Sequence, residues 1–120
     1  MKEFPLEACG VLGGTTDGHT PLALTLYPMK NILSSQVRFR MDPLQQFQVF
    51  KKIDASKMEM VGIYHSHPTG PDTPSIIDIK EAYYPNALYL IWSFKTGEWR
   101  LFVYKIRDGD YQEIIFELTK

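Results

Sequence analysis

Short apolar runs, separated by glycine, proline and polar residues, recur along most of this chain. Runs of this length bounded by turn signals predict strands of a buried sheet, and the alternation of Leu22, Leu24 and Leu26 with other residues predicts a further strand. The predicted strands are residues 7–13, 21–29, 38–41, 60–64, 87–94, 99–106 and 111–118. The last two form a predicted hairpin about Asp108-Gly109, because Asp-Gly is a strong signal for a two-residue hairpin turn. A polar turn is expected from Gly13-Gly14 to Thr20, between the first two strands.

Two segments carry helix signals instead. Asp42-Pro43 places an N-cap residue before proline at the first helical position, and the helix is expected to run to about Lys57. Ser75 is expected to cap a second, short helix that ends near Tyr84-Pro85. Because strands come first, last and in the middle with only two helices, the pattern favours an α/β fold, a mixed β-sheet flanked by helices. The length of 120 residues predicts a single domain, residues 1–120.

Composition and charge narrow the possible functions. The net charge is −1, from 13 basic and 14 acidic side chains, which gives no electrostatic argument for nucleic acid or an anionic membrane. No window approaches the ~20 apolar residues of a membrane-spanning helix. The single cysteine, Cys9, rules out an intramolecular disulfide and suits a reducing compartment. We therefore expect a soluble, cytoplasmic protein.

The segment His65-Ser66-His67 follows a predicted buried strand. Residues two apart in a strand point to the same face, so the two imidazoles can converge on one ion. Zinc accepts histidine and carboxylate ligands, and Asp78, in the first turn of the helix capped by Ser75, is the expected third ligand. The alternatives are that both histidines are merely solvated and that Ser75-x-x-Asp78 is only a capping box, although that motif prefers Glu or Gln in its last position.

The joint pattern is more specific than either part. His65-Ser66-His67-Pro68, followed by Ser75 and Asp78, resembles the signature of the JAMM (MPN+) metallopeptidases. The upstream residues 5–14, Pro-Leu-Glu-Ala-Cys-Gly-Val-Leu-Gly-Gly, are similar to the segment that carries the glutamate of that family. The resemblance spans residues 5 to about 94, and the form of the segment is closest to the stand-alone prokaryotic branch.

The resemblance implies a fold, a site and a substrate class. The fold would be a mixed sheet in a three-layer α-β-α arrangement. One Zn²⁺ per chain would be held by His65, His67 and Asp78, with Glu7 as general acid and base and Ser75 helping to stabilise the oxyanion. The implied reaction is hydrolysis of a peptide or isopeptide bond next to the C-terminal Gly-Gly tail of a ubiquitin-like or sulfur-carrier protein.

Other interpretations remain open beside this one. A non-catalytic protein-binding module or scaffold with the same fold is the main alternative. Cys9 shares the predicted face of Glu7, so it is either an extra ligand or, more commonly, a small core residue. The family usually carries a helix before the glutamate segment, whereas only residues 1–4 precede Pro5 here, and an uncovered apolar face would favour a homodimer.

Overall fold

A six-stranded mixed sheet forms the centre of the protein, in a computed structural model that describes residues 6–16, 20–36 and 38–117. The strands are β1 (Cys9–Thr16), β2 (Pro21–Met29), β3 (Glu59–His67), β4 (Leu88–Ser93), β5 (Arg100–Arg107) and β6 (Asp110–Ile114). The helices are α1 (Pro43–Ala55) and α2 (Ile76–Lys80). The strand order is β2-β1-β3-β4-β5-β6, with β3 and β4 parallel and every other pair antiparallel. The predicted mixed sheet with helices is confirmed.

Strand β3 lies between β1 and β4, so its side chains are covered on both flanks. Every residue of β3 from Val61 to His67 is buried. His65 is opposite Cys9 of β1 and opposite Ile91 of β4. The pairing of β3 on both sides therefore sets the face of the sheet to which the side chains of His65 and His67 point, independently of any bound ligand.

The hydrophobic core lies on one face of the sheet. Val11, Ile63 and Ile91 point to this face, and α1 packs on it through Val49 and Ile53. Helix α2 packs against the same cluster through Ile79, which is half-buried. Both described helices therefore cover one face, and no described helix covers the other.

On the opposite face, the ring of Tyr64 lies across the backbone of β1. A Cβ at Gly10 would overlap this ring, so the tight crossing requires glycine at that position. The outer strand β2 is less protected. Leu22, Leu24 and Leu26, whose alternation predicted this strand, are 45%, 57% and 55% exposed. The strand is present where it was predicted, but these leucines do not enter the core.

Several predicted boundaries need correction. The strand predicted at Arg38 to Met41 is wrong, because this segment makes only an isolated bridge from Met41 to Asn31 and bonds to the Asn31 side chain instead of a strand ladder. The turn predicted to start at Gly13-Gly14 is also wrong there, because β1 continues to Thr16 with a register shift between these glycines. The rest of that turn, residues 17–19, lies outside the described residues.

The ends of three other elements differ from the expectations. Helix α1 ends at Ala55, and Lys57 has the left-handed φ of 58°, which terminates the helix. Helix α2 ends at Lys80, and β6 ends at Ile114. The predicted turn of the last hairpin is confirmed, since Asp108 and Gly109 have φ of 53° and 77°, as a type I′ turn requires. No helix among the described residues is long and apolar enough to cross a membrane.

Candidate metal centre

Three potential ligand atoms converge where β3 ends. The Nε2 atoms of His65 and His67 are 2.9 Å apart, and each lies 3.1 Å from Oδ2 of Asp78. Both histidines are buried, with 2% and 4% of their surface exposed. Three donor atoms this close form a compact triangle, and among the described residues this is the group that could hold a metal ion.

The triangle is near the size of a zinc site. Zinc binds imidazole nitrogen and carboxylate oxygen at about 2.0–2.2 Å, and a tetrahedron of that size has edges of about 3.3–3.6 Å. The observed edges of 2.9 and 3.1 Å are somewhat shorter than this. Two imidazoles and one carboxylate also match the donor types that zinc prefers, and three protein ligands leave a fourth position for water.

The capping of α2 places the carboxylate. The Ser75 side chain accepts a hydrogen bond of 3.0 Å from the Asp78 backbone N–H, and the Ser75 N–H donates to Asp78 Oδ2 over 2.9 Å. This reciprocal pair is a capping box with Asp in the position where Glu or Gln is usual. The atom that completes the cap is the one that faces both histidines, so helix capping and ligand placement are a single arrangement.

The loop between β3 and α2 holds His67. Its Nδ1 lies 2.7 Å from the Pro71 carbonyl oxygen, so this nitrogen carries the proton and Nε2 is left to bind a cation. The loop is tied to the sheet, because the Tyr104 hydroxyl donates to the Asp72 carbonyl oxygen over 2.7 Å. The orientation of His67 thus depends on the loop as well as on its own strand.

The charges in the centre favour a cation. Burial lowers the pKa of His65, which keeps that imidazole neutral. Burial also opposes charge on His67, but the hydrogen bonds to Asp78 and Pro71 outweigh it and raise the pKa of His67. Burial would raise the pKa of Asp78, yet the bonds from both histidines and the Ser75 N–H hold it well below its usual range. Without a metal, His67 and the Asp78 carboxylate hold a proton between them, and a cation bound by the three side chains would take the place of that proton.

Glu7 lies beside this centre through the pairing of β1 with β3. Ser66 N–H donates to the Ala8 carbonyl over 2.9 Å, and the Ala8 N–H donates to Ser66 Oγ over 2.7 Å. Because Ala8 is opposite Ser66, Glu7 is brought opposite His67. Burial raises the pKa of Glu7 to about 8; the His67 charge lowers it and the Asp78 charge raises it further. Glu7 is 3% exposed.

Cys9 belongs to the core. It is buried among the apolar residues that pack under α1, and its thiol lies 3.6 Å from the Met29 carbonyl oxygen. The sulfur is not part of the ligand triangle. The interpretation of Cys9 as a small core residue is therefore the one that the structure supports.

Two residues of the site carried no signal in the sequence. The ring of Phe39 stacks on His65 with centroids 4.5 Å apart and an interplanar angle of 22°. The Asn31 side-chain amide donates to the carbonyl oxygens of Glu7 and Arg38, at 3.1 and 3.0 Å. These contacts join residues far apart in the chain, and neither residue belongs to a recognisable motif.

A pocket of about 190 Å³ opens beside the ligands. Its walls come from the segment before α1 and the first turn of that helix, from β3 and β4, and from α2 with the residues that follow it. They carry aromatic side chains (Phe39, Tyr83, Tyr84 and Tyr89) and charged ones (Arg38, Arg40, Asp78 and Glu81). None of the loop residues 69–74 lines it. Access to the His65 side of the centre is therefore through an opening with both aromatic and charged walls.

Comparison with known proteins identifies the class to which this fold and site belong. The family described as prokaryotic homologs of the JAB domain matches residues 1–104, and the chain belongs to this family. A solved structure from Desulfitobacterium hafniense has a TM-score of 0.83 and 33% identity, covering 94% of this chain and 78% of that one.

Two relatives have names that describe an activity. The desampylase of Haloferax volcanii is 36% identical over 90 residues, which are 74% of this chain and 63% of that protein. The CysO-cysteine peptidase of Mycobacterium bovis is 34% identical over 113 residues, which are 93% of this chain and 76% of that protein. The match thus spans somewhat less than two thirds of the first relative and about three quarters of the second.

Proposed function

We propose that this chain is a zinc-dependent peptidase that hydrolyses a peptide or isopeptide bond next to the C-terminal Gly-Gly tail of a ubiquitin-like or sulfur-carrier protein. The observation that supports it most is the convergence of His65, His67 and Asp78 beside the buried carboxyl group of Glu7. The names of the relatives, a desampylase and a CysO-cysteine peptidase, support the substrate class.

In this proposal each group of the centre has one task. His65, His67 and Asp78 would hold one zinc ion per chain, which would supply a water nucleophile near neutral pH when bound. Glu7 accepts the proton of the attacking water and delivers it to the nitrogen of the leaving group. Its burial beside the three candidate ligands places one carboxyl group where it can perform both transfers.

Ser75 is the proposed donor to the oxyanion. A hydroxyl group has one donor and two acceptor positions. The Ser75 oxygen accepts the bond from the Asp78 N–H, which leaves its proton available for a second partner. A positioned donor of this kind contributes about 3–4 kcal/mol to transition-state stabilisation.

The test is cleavage of a carrier protein fused through its C-terminal glycine to a short peptide. The zinc-loaded protein is expected to release the peptide, and Glu7→Gln is expected to lower kcat by about 10²- to 10⁴-fold, because the proton shuttle is lost. Glu59→Gln is the matched control, since Glu59 is an exposed acid at the opposite end of β3. No cleavage with added zinc, or equal cleavage by Glu7→Gln, would contradict the proposal.

A non-catalytic binding module with this fold is the second candidate. The presence of all three candidate ligands and of a protonatable Glu7 argues against it. Metal analysis separates the two, because the enzyme is expected to retain stoichiometric zinc after purification. A protein that binds the carrier without zinc and without turnover would instead be the binding module.

We also propose that the exposed face of β2 is a homodimer contact. A patch on one copy can pair with the same patch on a second copy about a two-fold axis, and the exposed Leu22, Leu24 and Leu26 offer such an apolar patch. Light scattering is expected to show a dimer that Leu24→Lys converts to a monomer. Ile115→Lys, a change at a residue 98% exposed elsewhere, should leave the dimer intact. A monomeric unmodified protein overturns this proposal.

A further inference from the structure

The two histidines of the centre are held by different means. Histidines that bind a metal usually donate their second ring N–H to an acceptor, which fixes the ring. His67 has such a partner in the Pro71 carbonyl oxygen, 2.7 Å from Nδ1. The Nδ1 of His65 is buried and has no hydrogen-bond partner among the described residues. The orientation of the His65 ring is therefore not fixed by a hydrogen bond at Nδ1.

A stacked aromatic ring occupies the place of that support. Phe39 lies against His65 with a centroid separation of 4.5 Å and an interplanar angle of 22°. Offset or parallel ring contacts of this kind contribute beyond the apolar area that they bury. Turning the plane of the imidazole about the Cβ–Cγ bond would break the stack, so the contact favours the ring plane in which Nε2 can face His67 and Asp78.

Phe39 is itself fixed by its neighbours. The Asn31 side chain accepts a hydrogen bond from the Arg40 N–H over 3.0 Å and donates one to the Arg38 carbonyl over 3.0 Å. These bonds hold the backbone on both sides of Phe39. The same amide donates to the Glu7 carbonyl over 3.1 Å, so the Asn31 side chain is bonded both to the segment of Phe39 and to the segment of Glu7.

We propose that Phe39 is a positioning residue of the metal centre, whose stacked ring takes the place of the missing hydrogen bond and holds His65 in its ligating orientation. The inference rests on the proposed metal site and is independent of which bond the protein hydrolyses. It predicts that removal of the ring weakens metal binding even when the fold is intact.

Zinc affinity, measured by competition with a chromophoric chelator, tests this. Phe39→Leu is expected to bind zinc at least tenfold more weakly than the unmodified protein, as is usual when support of a ligating histidine is lost. Phe39→Tyr, which restores a ring, is expected to stay within about threefold of the unmodified protein. Cobalt absorption of Phe39→Leu should also change, because a reoriented imidazole alters the ligand field.

Phe50→Leu is the matched control. Phe50 is also half-buried against the core, but its ring contacts Tyr84 and not a ligand. Equal zinc affinities of Phe39→Leu and Phe50→Leu would overturn the inference. If Phe39→Leu does not fold, Phe39→Met carries the same comparison, since methionine keeps the apolar volume without a ring. Failure of the unmodified protein to bind zinc would instead refute the metal site itself.

Discussion

Glu7 is a carboxyl group that the fold keeps almost entirely from water. Because its pKa is raised to about 8, the folded protein without metal binds this proton far more tightly than the unfolded chain does. The motif resemblance selected Glu7 from several acids near the ends of the chain and of the strands. Its burial and its raised pKa follow from the pairing of β1 with β3, which a linear motif does not describe.

The proton on Glu7 makes the stability of the metal-free fold depend on pH. In metal-free protein, the neutral form of Glu7 stabilises the fold fully below pH about 4.5, and that contribution is lost as the pH rises through about 8. Thermal unfolding in chelator should therefore show that the Tm of the unmodified protein falls relative to Glu7→Gln between pH 5 and 8. A constant Tm difference across this range would show that Glu7 is not buried as described.

The sequence predicted the convergence of His65, His67 and Asp78 because all three belong to one local motif. Phe39 and Asn31 could not be found in the same way. Their contacts to His65 and Glu7 depend on how the segment between β2 and α1 folds over the end of the sheet. Residues 38–41 of that segment were wrongly predicted as a strand, because the Asn31 side chain, and not a strand ladder, bonds their backbone.

At the scale of elements, α2 shows how a very short helix can be specified. It has five residues, and no residue within it is fully buried. An isolated helix of this length does not form in water. The capping box and the anchored loop before it therefore account for most of its order. The spacing of Ser75 and Asp78 indicated the capping box, whereas the anchoring of the loop through Tyr104 had no signal in the sequence.

Substitutions at Ser75 separate its capping role from its proposed oxyanion role. Ser75→Ala should cost about 1 kcal/mol of stability and lower kcat, since cap and hydroxyl are both lost. Ser75→Gly should recover most of the stability, because glycine at the N-cap costs only a few tenths of a kcal/mol, while kcat remains low because no side-chain donor is left. Thermal unfolding and the fusion-cleavage assay measure the two effects, with Ser75→Thr as the variant that retains both. Full activity of Ser75→Gly would exclude hydroxyl donation.

At the scale of the whole molecule, the strands of the sheet were largely predicted from the sequence. The face of the sheet on which the helices pack was not predicted. Apolar runs and turn residues identify strands locally, so β3, β4 and the last hairpin were placed within a few residues. Which face of β2 is covered depends on distant helices. The alternation of its leucines predicted a strand. The same alternation carries no information about the helices, which both pack on the face of the sheet away from these leucines.

Metal binding should stabilise the entire fold, because the ligand triangle exists only when β3 and α2 are both in place. A ligand at 100 times its Kd adds about 2.7 kcal/mol, which for a domain of this size raises Tm by on the order of 10 °C. Scanning calorimetry with zinc and with chelator should show this difference for the unmodified protein and for Glu7→Gln, but not for His67→Ala. An equal shift in His67→Ala would place the ion elsewhere.

The three candidate ligands are close together in the chain, since His65 and Asp78 are 13 positions apart, whereas the proposed proton shuttle, Glu7, lies in the segment just before β1. Mutation can therefore remove the proposed proton transfer and the proposed metal binding separately during evolution. One nucleotide change in the codon of Glu7 would remove the carboxyl group and keep the three ligands, so a descendant of this fold that binds metal need not be an active hydrolase.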